Sequence, residues 1–386
     1  MKKLIQHKGD KTIWGVFFIL ALASLVLIYS ASSYIAVKQH GGNNFHFLIK
    51  QLVIIIIGYV TMMAMSRIKY SHFQWASKLL FFVIVPLLGL TMLLGTNINN
   101  ASRWLTIPFI GISFQSSDFA KIVLLAFLAR TLSKLPSKYE IPGAATSYIL
   151  VYVFLPAILV SGLIIRSNLS TALLVFTSAF YMMWIGSVKV KYLISLVGAG
   201  LIMVMILFLV AKTNPNLFPR FDTWVSRIEN FKGEDRDANY QVTQAKIAIA
   251  SNPLFGTLPG KSSQRAFLPS AHADFIYAII IEEYGTFIGF IFIFLYLILL
   301  YRGMQIAKKS ETRFGSVLAL GLMFSIVFQA MINMGVAVNL LPVTGQPLPL
   351  LSLGGTSFIF TSMALGMIQS ISVGLNEKEE ELEAVE

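Results

Sequence analysis

The sequence predicts an all-α polytopic integral membrane protein of about ten transmembrane helices, with a large outward-facing loop between helices 7 and 8. Three observations carry that reading. Hydrophobic residues make up 56% of the 386 and charged residues only 12%, with a mean hydropathy of +0.73, whereas soluble domains carry about 25% charged residues. Apolar stretches of roughly 20 residues, the length that spans a bilayer, recur along the whole chain. The 18 acidic residues are almost all kept out of those stretches.

The stretches fall at 12–36, 46–66, 74–95, 117–134, 145–165, 169–187, 191–212, 273–301, 315–340 and 353–374. Lys2, Lys3, Lys8 and Lys11 precede the first. Arg67 and Lys69, then Arg130, Lys134 and Lys138, then Lys189 and Lys191, then Arg302, Lys308, Lys309 and Arg313 fill alternate connections. Basic residues concentrate on the cytoplasmic side, so both termini and these connections are expected in the cytoplasm of a multi-pass membrane protein. The remaining connections, 213–272 included, face outward. Ser30-Ala31-Ser32 mimics a cleavage site, but the nine spans that follow mark the first as a retained helix. Residues 1–375 read as one transmembrane domain with an extracytoplasmic loop at 213–272, and 376–386 as an acidic cytoplasmic tail.

A net charge of +12 would suggest nucleic acid in a soluble chain. Here topology and anionic lipid account for it, and no nucleic-acid partner is expected. The sequence has no cysteine, which excludes disulfides, thiolate nucleophiles and Cys-ligated metals.

Five of the acids, Asp222, Glu229, Glu234, Asp235 and Asp237, share one polar loop, and Glu377, Glu379, Glu380, Glu381, Glu383 and Glu386 form the tail. Asp118, Asp274, Glu282 and Glu283 touch apolar segments. A charge at bilayer depth costs about 2.5–3.5 kcal/mol on insertion scales, so each is a candidate functional residue. Asp274 stands at the mouth of a long apolar helix. A carboxylate there can cap free amides; in a partly dry pocket it can instead act as general base. Glu282, eight residues on, lies about 80° round the helix and about 12 Å deeper, too far for a dyad. Glu282 and Glu283 are expected to pair with basic or backbone groups.

Within the outward loop, Phe218, Phe221, Trp224, Ile228 and Phe231 recur at helical spacing with Arg220, Arg227 and Lys232 between them. This predicts an amphipathic helix on the membrane face, and Tyr240 to Ala250 a second. Both readings, a bundle cap and a wall beside a lipid headgroup site, stay open. Before the fourth helix, Asn99-Asn100-Ala101-Ser102-Arg103-Trp104 reads as an outward loop, leading to Gln115-Ser116-Ser117-Asp118-Phe119-Ala120-Lys121. Asp118 and Lys121, three apart, share a helix face, as a structural pair or as part of a phosphate site. Lys121 and Arg103 could supply charge to a departing diphosphate, and the Arg fork suits it better. Between the last two helices, Asn339 to Pro349 and then Ser352-Leu353-Gly354-Gly355-Thr356-Ser357 hold three prolines and three glycines. That composition predicts a non-helical re-entrant path, tolerated only where protein or water satisfies its backbone. It is either a rigid turn or a lining of exposed amides.

At these residues the chain resembles the SEDS family of bacterial shape, elongation, division and sporulation proteins, and most its cell-division branch. The likeness spans essentially the whole chain: Tyr29-Ser30-Ala31-Ser32, the Ala101 to Trp104 segment, Gln115 to Lys121, Tyr240-Gln241, Leu268 to Gly285, and Pro342 to Ser357. It implies a membrane glycosyltransferase that polymerises lipid II into peptidoglycan at the outer face of the bacterial cytoplasmic (inner) membrane. Asp274 then matches the family's essential aspartate, the base for the acceptor sugar's 4-hydroxyl, which attacks the anomeric carbon of an undecaprenyl diphosphate donor. Inversion gives a β-1,4 bond. Arg103, Lys121, Gln115 and His272 would hold the diphosphate and headgroup, supported by Asp118, Glu282, Glu283, Trp104, Ser352, Gly354 and Gly355. The implied partners are lipid II, a class B penicillin-binding transpeptidase and other divisome membrane proteins. A divalent cation, Mg or Mn, suits the diphosphate, though the sequence shows no dedicated cage.

The chain also departs from the family. Asp118 replaces the usual glutamate and Ser116 the usual proline. Arg166-Ser167-Asn168-Leu169-Ser170-Thr171 stands for the usual Gln-Pro-Asp-Leu-Gly-Thr. Asn252-Pro253 replaces Gly-Gly, and Ser270 a glutamate. Two other readings remain open: a lipid II flippase, which would need a polar path across the bilayer, and a non-catalytic scaffold that recruits a transpeptidase.

Overall fold

The computed structural model describes residues 8–32, 43–98, 101–106, 113–135, 139, 144–213, 221–232, 240–251, 254–268 and 271–383. Asn99, Asn100, Phe218, Asn252, Pro253, Pro269 and Ser270 lie outside them. Helices occupy all ten expected segments among these residues: α1 Lys11–Ala31, α2 Phe45–Arg67, α3 Tyr70–Leu94, α4 Ser116–Ser133, α5 Ala144–Ile165, α6 Leu169–Ile185 and α7 Val190–Thr213 come first. After two loop helices, α8 Phe221–Lys232 and α9 Tyr240–Ser251, come α10 Ile276–Lys309, α11 Arg313–Ala337 and α12 Thr356–Glu383. Eight of the ten are long and apolar enough to cross a membrane unaided. The other two are α6, one residue short of that length, and α4, whose Ser116-Ser117-Asp118 start and Lys121 dilute its apolarity.

One expectation is corrected. The segment before α4 is not a simple loop but a three-stranded antiparallel meander, β1 Thr96–Ile98, β2 Ala101–Thr106 and β3 Ser113–Gln115. At the head of a bundle a bare loop leaves backbone groups unpaired, and strand pairing satisfies them locally. The register sets Trp104 opposite Gln115.

The helices group into two compact units. The first comprises Met1–Ile68, Arg227–Gln305 and Ile326–Glu386. Its core is α2 against α12, where a Cβ on Gly366 would lie 2.6 Å from the Met62 carbonyl oxygen, so only glycine permits the approach. Asp10 caps α1, accepting from the Ile13 amide at 3.0 Å. The same carboxylate pairs with Arg302 of α10, and its backbone exchanges hydrogen bonds with the Gln369 amide of α12 at 2.7 and 2.9 Å. Three helices are thereby pinned at one end.

The second unit comprises Lys69–Ser226 and Ile306–Ser325. Here α4 is buried nearly all round, as expected of a central helix. Phe127 stacks on Phe81 of α3 with centroids 4.4 Å apart, and Tyr181 of α6 stacks on Phe324 at 3.8 Å. Midway along α5, residues Leu150–Phe154 form a π turn. Pro156 follows it, and a proline ring displaces the carbonyl four residues back, which widens the turn.

Candidate functional site

Residues 271–275 form turns, and α10 begins at Ile276, so Asp274 stands two residues before the helix rather than in it. Because this segment is not helical, its carbonyls need outside donors. Three successive carbonyls receive them. Leu353 N donates to His272 O at 2.9 Å, Ser352 Oγ to Ala273 O at 2.6 Å, and Asn333 Nδ2 to Asp274 O at 2.8 Å.

Two of these donors come from the re-entrant segment, which follows the non-helical path its prolines and glycines predict. That segment is itself stitched down. Asn333 Nδ2 also donates to Gln346 O at 2.7 Å, Gln329 Nε2 donates to Pro347 O at 3.0 Å, and Leu348 N donates to Ser352 Oγ at 2.8 Å. From α10, the Tyr296 hydroxyl donates to Pro349 O. Gly345, at φ +66°, leaves a gap beside the acid: a Cβ there would sit 3.6 Å from Asp274 Oδ2. Gly354 and Gly355 lead into α12, Gly355 at φ +51° and Gly354 O accepting from Ser357 N at 3.0 Å.

The Asp274 carboxylate is partly buried and accepts no hydrogen bond from any described residue; the capping role therefore finds no amide. Desolvation lifts its pKa to about 6, opposed by the charge of Arg227 on α8. Burial lowers the Arg227 guanidinium from its usual range and Asp274 partly restores it; it stays a cation at neutral pH. No ion pair within 4 Å joins the two among the described residues. His272 is pulled down to about 4, by burial first and the charge of Lys50 second, so its imidazole is neutral at pH 7. The centre thus offers a carboxylate that is mostly ionised at pH 7 but titrates only about one pH unit below it, a neutral imidazole and a detached cation.

Glu282 and Glu283 have different surroundings. Glu282, fully buried, accepts from Ser263 N at 2.9 Å, Ser263 Oγ at 3.0 Å, Gln264 N at 3.1 Å and the Ser262 hydroxyl. Glu283 accepts from the Ser30 hydroxyl, which Arg265 Nη1 approaches at 3.4 Å. The two acids bind the loop at 254–268 onto α10 and α1. Where that loop crosses α10 the helix breaks at Gly285 (φ 82°, ψ 166°), and a Cβ there would fall 2.1 Å from Leu254 O.

The other expected site residues belong to the second unit. Trp104 and Gln115 pair across β2 and β3, and Gln115 Nε2 donates to Ser117 Oγ at 3.0 Å. Asp118, buried, and Lys121, partly buried, follow one turn apart on α4; the Arg103 backbone lies in β2. Asn168 caps α6, its Oδ1 accepting from Thr171 N at 3.3 Å. Sequence reasoning missed Asn333, Gln329, Tyr296 and Lys50. The signal for two of them was available: Gln329 and Asn333 are polar residues four apart on one face of an apolar helix. Among the described residues no three His, Asp or Glu side chains converge to hold a metal, so no step below is routed through one.

Fold and site define a multi-pass helical membrane protein with an ionisable centre at the mouth of one spanning helix, framed by a re-entrant segment. Residues 10–377 match the FtsW, RodA and SpoVE family, described as "Cell cycle protein", and the chain belongs to that family. It is 33% identical over 372 residues to the "Probable peptidoglycan glycosyltransferase FtsW" of Trichlorobacter lovleyi, covering 93% of this chain and 92% of that one. It is 30% identical over 381 residues to the "Peptidoglycan glycosyltransferase MrdB" of Escherichia coli K12, covering 95% and 97%. Among solved structures, a chain from a study of "polymerization and crosslinking by a peptidoglycan synthase complex" superposes with a TM-score of 0.70 at 24% identity, over 95% of this chain and 98% of that one. The Thermus thermophilus rod shape determining protein RodA superposes with a TM-score of 0.67 at 23% identity, over 96% and 97%.

Proposed function

We propose that this protein is a peptidoglycan glycosyltransferase that polymerises lipid II into β-1,4 glycan strands, with Asp274 as the general base. One observation carries the base assignment: Asp274 is a partly buried carboxylate that accepts no hydrogen bond among the described residues, with its pKa raised to about 6. A base is most effective when its pKa lies near the working pH. Asp274 takes the proton of the acceptor sugar's 4-hydroxyl. The oxygen bonds to the donor's anomeric carbon while the bond to undecaprenyl diphosphate breaks, its electron pair leaving with the diphosphate. One displacement inverts the α-linked carbon to β.

The backbone ties at His272, Ala273 and Asp274 hold the acid in place, which lowers the entropic part of the barrier. Arg103 and Lys121 carry the charge suited to a departing diphosphate, and His272 and Gln115 can bond headgroup oxygens as neutral groups. The basic residues flanking alternate connections support a cytoplasmic location for both termini and an outward-facing Asp274. The run Leu268-Pro269-Ser270-Ala271-His272-Ala273-Asp274-Phe275, together with the likeness to proteins named FtsW, favours the septal branch and a class B transpeptidase as partner.

The test is purified protein with its cognate transpeptidase and lipid II in liposomes. The reading expects glycan polymer in the presence of the partner. Translocation of headgroups without any polymer, under every partner condition, would replace it with a flippase.

A further inference from the structure

Asp274 is joined to the re-entrant segment by a single nitrogen atom. Asn333 Nδ2 donates one proton to Asp274 O at 2.8 Å and the other to Gln346 O at 2.7 Å. We infer that Asn333 is a positioning residue for the reaction at Asp274, its two-donor amide fixing the acid against the segment that flanks it. The inference rests on the reading of Asp274 as the base.

Several features separate this role from ordinary packing. Both protons of the amide are used, and the two carbonyls that accept them belong to chain segments more than 70 residues apart in sequence. The amide orientation is fixed, because the reverse flip would set its oxygen against two carbonyl oxygens. Asn333 is 1% exposed and its Oδ1 has no hydrogen-bond partner. A buried acceptor left unpaired costs about 1–3 kcal/mol, and asparagine bears that cost at Oδ1 while its nitrogen serves both backbone carbonyls. Gln329, one turn earlier on α11, donates to Pro347 O at 3.0 Å and anchors the re-entrant segment there.

That difference supplies the control. Asn333→Leu keeps the branched shape and removes both donors, Asn333→Asp puts in the place of the amide nitrogen an oxygen that donates only when protonated, and Gln329→Leu removes the donor to Pro347 O. Arg227, the charge that bears on the acid, and His272 with Lys50 stay unchanged in all three; Asn333→Asp adds a carboxyl of its own, so the movement of the acid limb is read in Asn333→Leu. Lipid II polymerisation by the full chain with its transpeptidase is measured against pH, with thermal melting in the same detergent. For the Asn333 variants the inference expects kcat to fall at least about tenfold, as for a misplaced reacting group, KM to stay within about threefold, and the acid limb of the rate profile to move. Gln329→Leu is expected to lower the melting temperature without moving that limb.

Wild-type kcat and pH profile in folded Asn333→Leu overturn the inference. So does loss of folded protein in both Asn333 variants while Gln329→Leu folds, since the role is then structural. Full activity in Asp274→Asn overturns the base reading and this inference with it. An inactive Asp274→Asn beside a fully active Asn333→Leu overturns the positioning role alone.

Discussion

Arg227 lowers the pKa of Asp274 without bonding to it. Desolvation raises the carboxyl to about 6, and the guanidinium on the loop helix keeps it from rising further. An ion pair would consume the base's lone pairs. A detached cation adjusts the acid and leaves it available.

The pH dependence follows from that geometry. The base must be deprotonated, so kcat/KM should rise with pH through about 6 and then level off. In Arg227→Ala the lowering charge is gone and the limb should move to higher pH, with activity near neutral falling most. An unchanged limb in folded Arg227→Ala would show that the two residues are uncoupled.

Stability should change in the opposite sense to activity. An acid whose folded pKa is raised above its unfolded value favours folding below the unfolded pKa and loses that contribution as pH rises through the folded one. Asp274→Asn should therefore be as stable as wild type at pH 7.5 or more so, by up to about 3 kcal/mol for a carboxyl raised to about 6, and melt no lower. A strong fall in melting temperature would make the acid structural.

Gly345→Ala should impair catalysis through two effects. The backbone at φ +66° is strained for a side chain by about 1–2 kcal/mol, and the added methyl would rest 3.6 Å from Asp274 Oδ2, displacing water from the carboxylate. Polymerisation rate should fall about tenfold or more, with the acid limb raised; a wild-type profile would contradict this.

The crossing of the loop over α10 should tolerate nothing larger than glycine. Gly285→Ala places a Cβ 2.1 Å from Leu254 O, so the loop must lift, costing several kcal/mol. Glu282→Leu, which leaves the Ser263 and Gln264 amides without their acceptor, should also release 254–268. Limited proteolysis should cut both variants in this loop, while wild type is protected.

The fold was largely legible in the sequence because bilayer thickness fixes helix length and apolar runs reveal it. The ten segments start within a few residues of their expected positions, although Ile276–Lys309 and Thr356–Glu383 run eight and nine residues past the expected ends, and the loop helices at Phe221 and Tyr240 followed from aromatic and basic spacing. The meander before α4 was not legible. Its strands are three to six residues long, and pairing across a bundle head leaves little periodicity to read. At the site, Asp274 stood out because an acid in an apolar setting is costly. Asn333 and Gln329 did not, since an amide inside an apolar helix costs less and its partners are backbone carbonyls, which carry no mark in sequence. The Glu282 and Glu283 pair was conspicuous, yet its bonding to serine and backbone donors depends on a loop path that only the structure supplies.

The most direct test is the yield of glycan polymer from lipid II by Asp274→Asn, reconstituted with the transpeptidase and compared with wild type at equal folded concentration. Asp274 as general base predicts no polymer above background from a protein that still folds and binds its partner. Polymer at the wild-type rate from that variant would contradict it.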